Sequence, residues 1–124
     1  HLDKDSLIEK LSHESGLFGY LGTRDYQEIE LSAESNNETR QIIAAMEYQI
    51  AKEIGAMYSV LNGRIQGLIL TGGLAHSKTL MENLKNRLNY INNFYIYPGS
   101  FELEALAEGA ITAMSNPELV REYT

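Results

Sequence analysis

The chain has 124 residues, 17 of them acidic against 10 Lys and Arg, a formal net charge of −7 at pH 7 and no cysteine. That balance argues against nucleic acid as a partner, whose binding needs clustered cations on phosphates, and the missing thiols exclude a disulfide framework or thiolate metal site. The length suits one domain with a real core, its 44% hydrophobic content is that of a soluble globular protein, and no apolar run reaches the ~18 residues of a membrane span.

No secretory signal is visible, so a cytoplasmic location is expected. The chain begins with His1 rather than Met, which fits an excised fragment. Asp5 or Ser6 is placed to cap a first helix, with Ser6-x-x-Glu9 as a capping box. Leu7, Ile8 and Leu11 form its apolar side, and Gly16 follows its end. Leu17 to Gly22 is short, aromatic and bounded by glycine, and reads as a loop or brief extended piece. Asp25 to Leu31 is expected as a short helix.

The longest periodic stretch comes next. Ser35-x-x-Glu38 is a second capping box, and Ile43, Met46, Ile50, Ile54, Met57 and Leu61 follow at steps of three or four. With alanines at 44, 45, 51 and 56, this helix is expected to be wide-faced and largely buried, ending at Asn62-Gly63. Leu68 to Leu70 is a buried strand broken by Gly72-Gly73, and a helix begins near Ser77 with Leu80, Met81, Leu84 and Leu88 on one side. Lys78 and Glu82 are spaced for an ion pair on the other side. Phe94 to Tyr97 is a second strand, stopped by Pro98-Gly99. Ser100 is expected to cap a helix carrying Leu103, Leu106, Ala107, Ala110, Ile111 and Met114, and Asn116-Pro117 to open a last short helix through Tyr123. The order makes the chain α/β, with two strands supplying part of a sheet.

The segment that carries chemistry is Leu68-Ile69-Leu70-Thr71-Gly72-Gly73-Leu74-Ala75-His76-Ser77. Strand, paired glycines and helix start let backbone approach a flat or anionic group, and amide dipoles can hold phosphates even in an acidic protein. An ordinary tight strand-to-helix turn has the same signature. Gly72 to Thr79 nearly matches a P-loop, but Ser77 stands where that motif requires glycine before Lys78, so Lys78 reads as a solvated helix residue. His1, His13 and His76 lack metal-ligand spacing. His76 is either a neighbour of the helix cap or a ligand contact. Glu102 and Glu104 open a helix, where carboxylates suit the dipole; the alternative is that one helps hold Mg²⁺. Asp25 is likewise either a helix cap or a carboxylate for a polar ligand.

Four segments together resemble the C-terminal domain of the butyrate kinases, in the acetate-kinase branch of the superfamily of sugar kinases, heat-shock ATPases and actin. They are Gly19 to Asp25 (GYLGTRD), Met46 to Ala56 (MEYQIAKEIGA), Leu70 to Ser77 (LTGGLAHS), and Tyr97-Pro98-Gly99 with Glu104 to Ala110 (EALAEGA). The resemblance implies a ribonuclease-H-like C-terminal domain with a partial mixed sheet flanked by helices, spanning residues 1–124 of a two-domain kinase whose N-terminal domain is absent from this chain. It implies transfer of the γ-phosphoryl group of ATP to butyrate, giving butyryl phosphate and ADP, with Mg²⁺. It implies that Gly72 and Gly73 lie against the adenosine and α-phosphate, that Leu74, Ala75 and His76 complete the loop, that Asp25 is a second nucleotide contact, and that Glu102 stands near Mg²⁺ and the transferred group. The helix with Ala107, Gly109 and Ala110 matches the interdomain helix. The family's phosphate hairpin, its Mg²⁺-positioning carboxylate and its acceptor pocket have no counterpart in this sequence, so this chain alone is expected to be inactive. Other short-chain carboxylate kinases and a non-catalytic oligomerisation module pairing through the Ile43–Leu61 stretch are the rival readings. A homo-oligomer is expected, and separation from the partner domain is expected to expose apolar surface around Leu103 to Ala110 and favour self-association.

Overall fold

A computed structural model describes residues 3–121. The first helix, α1 (Lys4–His13), is capped by Asp3, whose Oδ1 accepts from the Ser6 amide at 2.9 Å. Asp3 therefore takes the role expected of Asp5 or Ser6. The glycine-bounded run after it is not a loop but a helix, α2 (Gly16–Leu21). Leu17 and Leu21 are one turn apart and pack on Ile29, Ala33 and Ile43, so their burial selects the helical form over an extended one. Gly22, at φ +70°, closes α2 by donating its amide to the Phe18 carbonyl at 2.8 Å.

Helix α3 (Tyr26–Ala33) starts at Asp25, as its sequence suggests. Helix α4 (Asn37–Val60) is capped by Asn36 rather than Ser35, with Asn36 Oδ1 accepting from Glu38 at 2.9 Å and Thr39 at 3.2 Å. Asn62 and Gly63, both at positive φ, end it. This helix is less buried than expected. Only Thr39, Ile43 and Glu47 are inside, while Met57 and Leu61 are more than half exposed. Its main partners are α2, α3 and the helix Lys78–Arg87, and its C-terminal half borders an open apolar hollow with Ile65 and Leu68, which leaves that half partly uncovered.

Strand β1 (Leu68–Gly72) pairs in parallel with β2 (Phe94–Pro98), in register from Leu68 opposite Phe94 to Gly72 opposite Pro98. The expected mixed sheet is, among the described residues, this parallel pair. Helix α5 (Lys78–Arg87) makes the crossover between them. One face of the pair packs Leu70 and Ile96 against Ala75, Leu80, Met81 and Leu84, with Met46, Ile50 and Tyr26 closing the core. Leu80, Leu84 and Leu88 are all but fully buried, each contributing about 1.5–3 kcal/mol. The other face leaves Ile69, Tyr95 and Tyr97 exposed. Among the described residues Lys78 and Glu82 form no ion pair; an exposed pair of that spacing gains only about 0.2–0.5 kcal/mol, too little to fix two long side chains.

Helix α6 (Glu102–Ser115) starts after Phe101, not at Ser100, without a side-chain cap. None of its residues is buried, and its main contacts are with the 3₁₀ turn that follows, Pro117–Leu119. The Asn116 side chain donates back to the Thr112 carbonyl at 3.2 Å instead of capping forward, which leaves a single turn where a short helix was expected. Tyr123, its expected end, lies outside the described residues. No described helix is long and apolar enough to cross a membrane.

Candidate functional site

Where β1 ends, Gly72 adopts φ +90°, ψ −177°, a conformation that L side chains rarely adopt. It is bound to Gly99 by two backbone hydrogen bonds of 3.1 Å, one in each direction, so the ends of both strands are tied together. Gly73–His76 then form one 3₁₀ turn, and Ser77 caps α5 by accepting from the Leu80 amide at 3.0 Å. A Cβ on Gly73 would meet nothing within 4 Å, so its backbone faces open space. Ala75 points the other way, into the core, at 5% exposure.

The opposite wall comes from the start of α3. Asp25 Oδ1 accepts from the amides of Gln27 at 2.9 Å and Glu28 at 3.4 Å, and the Thr23 hydroxyl donates to Glu28 Oε2 at 2.9 Å. The Asp25 amide in turn donates to Thr23 Oγ1 at 3.2 Å, so Thr23 relays the cap between Asp25 and Glu28, and Asp25 Oδ2 is left without a hydrogen bond among the described residues. Asp25 is thus a helix cap with one oxygen to spare. Arg24 stacks over the Phe18 ring, 4.9 Å from its centroid, and donates to the His13 carbonyl.

Between these walls lies a concavity of about 470 Å³ lined by Asp25, Gly73, Leu74 and His76 together with Arg24, Tyr26, Gln27, Glu30 and Ser77. Asp25 and three residues of the Gly73–His76 turn, all singled out from the sequence but from two distant parts of the chain, therefore share one hollow. Gly72 and Ala75 support it from behind without lining it. Glu102 is also outside the lining, exposed in the first turn of α6. Its neighbourhood is close to the loop, since a Cβ on Gly99 would lie 3.7 Å from His76 Nε2 and 4.0 Å from the Phe101 ring.

Sequence reasoning missed Tyr26 and Glu30. Their spacing of four residues on a helix that begins at Asp25 puts both on the face Asp25 opens, and that signal was readable. The Tyr26 phenol is pushed up to about 12, chiefly by burial and then by the Glu30 and Glu47 carboxylates, with the nearby Ser77 hydroxyl the last influence and opposed to them. It stays a neutral hydroxyl. A larger hollow of about 630 Å³, between α2 and α4, is lined by Leu17, Tyr20, Ile42 and Met46 among others. Gly16, Glu38, Gln41 and Gln49 also line it, but neither the Gly72-Gly73 loop nor Asp25 does, so volume alone does not select it.

The P-loop reading finds no footing. Ser77 sits in extended backbone at φ −75°, ψ 109° as a helix cap, and Lys78 is exposed beyond it. The nucleoside of a nucleotide fits the site in kind: a flat open backbone at Gly73, the apolar Leu74, and a spare carboxylate oxygen across the hollow. For Mg²⁺ the donor set is thinner. No group of three or more His, Asp or Glu able to hold a metal occurs among the described residues, so no step is assigned to a metal held by this chain.

The family model described as the acetokinase family matches residues 2–111. The chain belongs to the acetokinase family. That places the protein among the phosphotransferases of the carboxylate-kinase kind, a family that in general uses ATP and Mg²⁺.

Proposed function

We propose that this chain is the nucleotide-binding C-terminal domain, ribonuclease-H-like in fold, of a kinase that transfers the ATP γ-phosphoryl group to butyrate. The observation that carries this reading is the meeting of Asp25 with Gly73, Leu74 and His76 around one concavity in an acetokinase-family chain. In this reading the adenosine lies along Gly72-Gly73, Leu74 and Ala75 supply the loop's shape, and His76 and Asp25 contact the nucleotide from the two walls. In the same reading Glu102, in the first turn of α6, stands near Mg²⁺ and the transferred phosphoryl group. The phosphate hairpin and the carboxylate-acceptor pocket belong to an N-terminal domain, and this chain alone does not turn over substrate. Phosphoryl transfer depends on positioning and charge stabilisation from both sides, which half a cleft does not give.

Titrating Mg-ATP and Mg-ADP into the labelled chain while following backbone amide shifts tests the site. Shifts concentrated at Gly72, Gly73, His76 and the Asp25 turn are expected. Still amides at millimolar nucleotide, both here and in a chain extended by the first domain, would reject it. Substrate profiling of the extended chain separates butyrate from acetate or propionate.

A reading as an oligomerisation module is favoured by one observation. Leu103, Leu106, Ile111 and Met114 on α6 and Val60 on α4 are each at least 64% exposed, and Met57 on α4 is 57% exposed. The two readings are compatible, and sedimentation of the chain with and without Leu106→Glu distinguishes an α6 contact from none.

A further inference from the structure

The two walls of the concavity come from distant parts of the chain, and one side-chain hydrogen bond joins them. The Ser77 hydroxyl donates to Glu30 Oε1 at 2.7 Å, a link between residues 47 apart in sequence. Ser77 is 8% exposed, and its oxygen also accepts from the Leu80 amide. Its single proton and its cap acceptor are therefore both in use. Glu30 lies on the face of α3 that begins at Asp25, and Ser77 directly follows the Gly73–His76 turn. The Ser77 amide itself donates to the Leu74 carbonyl at 3.1 Å, so the hydroxyl and the turn move as a unit.

A carboxylate in the lining of a pocket for a phosphate-bearing ligand works against the ligand's charge unless it does something else. Glu30 spends one oxygen on Ser77. It also lies on the partition between this concavity and a second hollow of about 510 Å³, lined on its far side by Glu47, Arg40 and Asn83. One turn earlier on α3, Tyr26 packs on the core that holds Ala75, so the Glu30–Ser77 bond is a polar link set beside an apolar one between α3 and the glycine turn.

We propose that Glu30 is a positioning residue: by accepting the Ser77 hydroxyl proton it locks the Gly73–His76 turn to α3 and sets the gap between the Asp25 wall and the glycine wall. That gap is the width in which the nucleoside seats, so the inference on affinity rests on the proposed nucleotide site, whereas the lock itself does not. A charge-assisted bond of this kind is among the stronger side-chain links a protein makes.

The test uses the full chain and the variants Glu30→Gln, Glu30→Ala and Ser77→Ala. Two quantities are read: amide hydrogen exchange at Leu74 to Leu80 without ligand, and the Mg-ADP dissociation constant. Glu30→Gln keeps an acceptor oxygen and is expected to stay within about twofold of the parent in both, whereas Glu30→Ala raises exchange in the turn and weakens Mg-ADP by about tenfold, the scale of one lost hydrogen bond to a charged group. Ser77→Ala removes both this bond and the Leu80 cap, so it is expected to raise exchange in the turn at least as far as Glu30→Ala does. Unchanged exchange in Glu30→Ala overturns the lock. Raised exchange with unchanged Mg-ADP affinity, or Gln failing as badly as Ala, overturns the positioning role. If the parent chain binds no Mg-ADP while exchange responds as expected, the lock stands and the nucleotide reading falls.

Discussion

Glu47, only 3% exposed, accepts a hydrogen bond from the Asn83 side-chain amide at 2.7 Å, and this contact pins α5 to α4. Its other oxygen faces Arg87 Nη2 at 3.5 Å. A carboxylate so deep in the protein is tolerated because one oxygen accepts a hydrogen bond and the other faces a cation. Every buried polar side-chain atom among the described residues is likewise partnered.

Removing one donor strands the charge. Asn83→Ala is expected to cost about 1–3 kcal/mol by urea denaturation, since it deletes the shorter bond and leaves a buried carboxylate oxygen unsatisfied. Arg87→Ala should cost less, because its side chain is 38% exposed and solvent already screens the pair. Equal losses, or an Asn83→Ala chain as stable as the parent, would show that the contact does not hold the helices.

The two glycines of the loop are expected to respond in opposite ways. Gly72→Ala forces an L side chain into φ +90°, costing about 1–3 kcal/mol of stability although the space around it is open. Gly73 has no such backbone demand, and a Cβ there would have no neighbour within 4 Å, so Gly73→Val should leave the urea midpoint nearly unchanged. It should nevertheless abolish the Mg-ADP amide shifts, because the branched side chain fills the surface the nucleoside lies against. A Gly73→Val chain that is both unstable and non-binding would mark the glycine as structural.

Much of the fold was legible because burial obeyed the patterns that announce it. Ile43, Leu80, Met81 and Leu84 are core residues in the structure as their spacing suggests. The failures have physical causes. Leu17 to Gly22 is too short for periodicity to show, and only its packing on Ile29 and Ile43 makes it helical. Caps shifted by a residue or two, from Ser35 to Asn36 and from Asp5 to Asp3, because neighbouring polar residues compete for the same amides. On α6 the apolar stripe predicts burial, yet Leu103 and Met114 are each 83% exposed. Periodicity states that a helix has a face to bury; it is silent on what covers it. The concavity was half legible: the glycines and Asp25 stand out as residue types and the spacing of Tyr26 and Glu30 puts them on Asp25's face, whereas the bond from Ser77 to Glu30 is a tertiary contact that no local pattern announces.

Lys78 provides a sharp contrast between two kinds of phosphate site. It is exposed on the first turn of α5 and bound to neither Glu82 nor, among the described residues, any other carboxylate. Lys78→Ala should therefore change Mg-ATP affinity by less than about twofold, where a P-loop lysine on the β- and γ-phosphates would cost far more. A large loss measured by calorimetry would revive the P-loop reading.

Tyr26 ties stability to pH at the alkaline end. Its phenol is pushed from 10.0 up to about 12, by burial first and by Glu30 and Glu47 next. Since the folded value lies above the unfolded one, the folded chain keeps the proton to higher pH. The stability this group contributes is complete below pH 10 and is lost as pH rises through about 12. The ring is only half-buried, so screening trims the effect below what the full shift implies. Tyrosines and lysines in general titrate in this window, which makes the difference between the parent and Tyr26→Phe the quantity to follow. That difference in urea midpoint should be constant from neutral pH to about pH 9 and then shrink steadily toward pH 12 as the parent loses its advantage. Parallel curves across the window would mean that Tyr26 ionises as freely in the folded chain as in the unfolded one, and that the carboxylates beside it do not reach its hydroxyl.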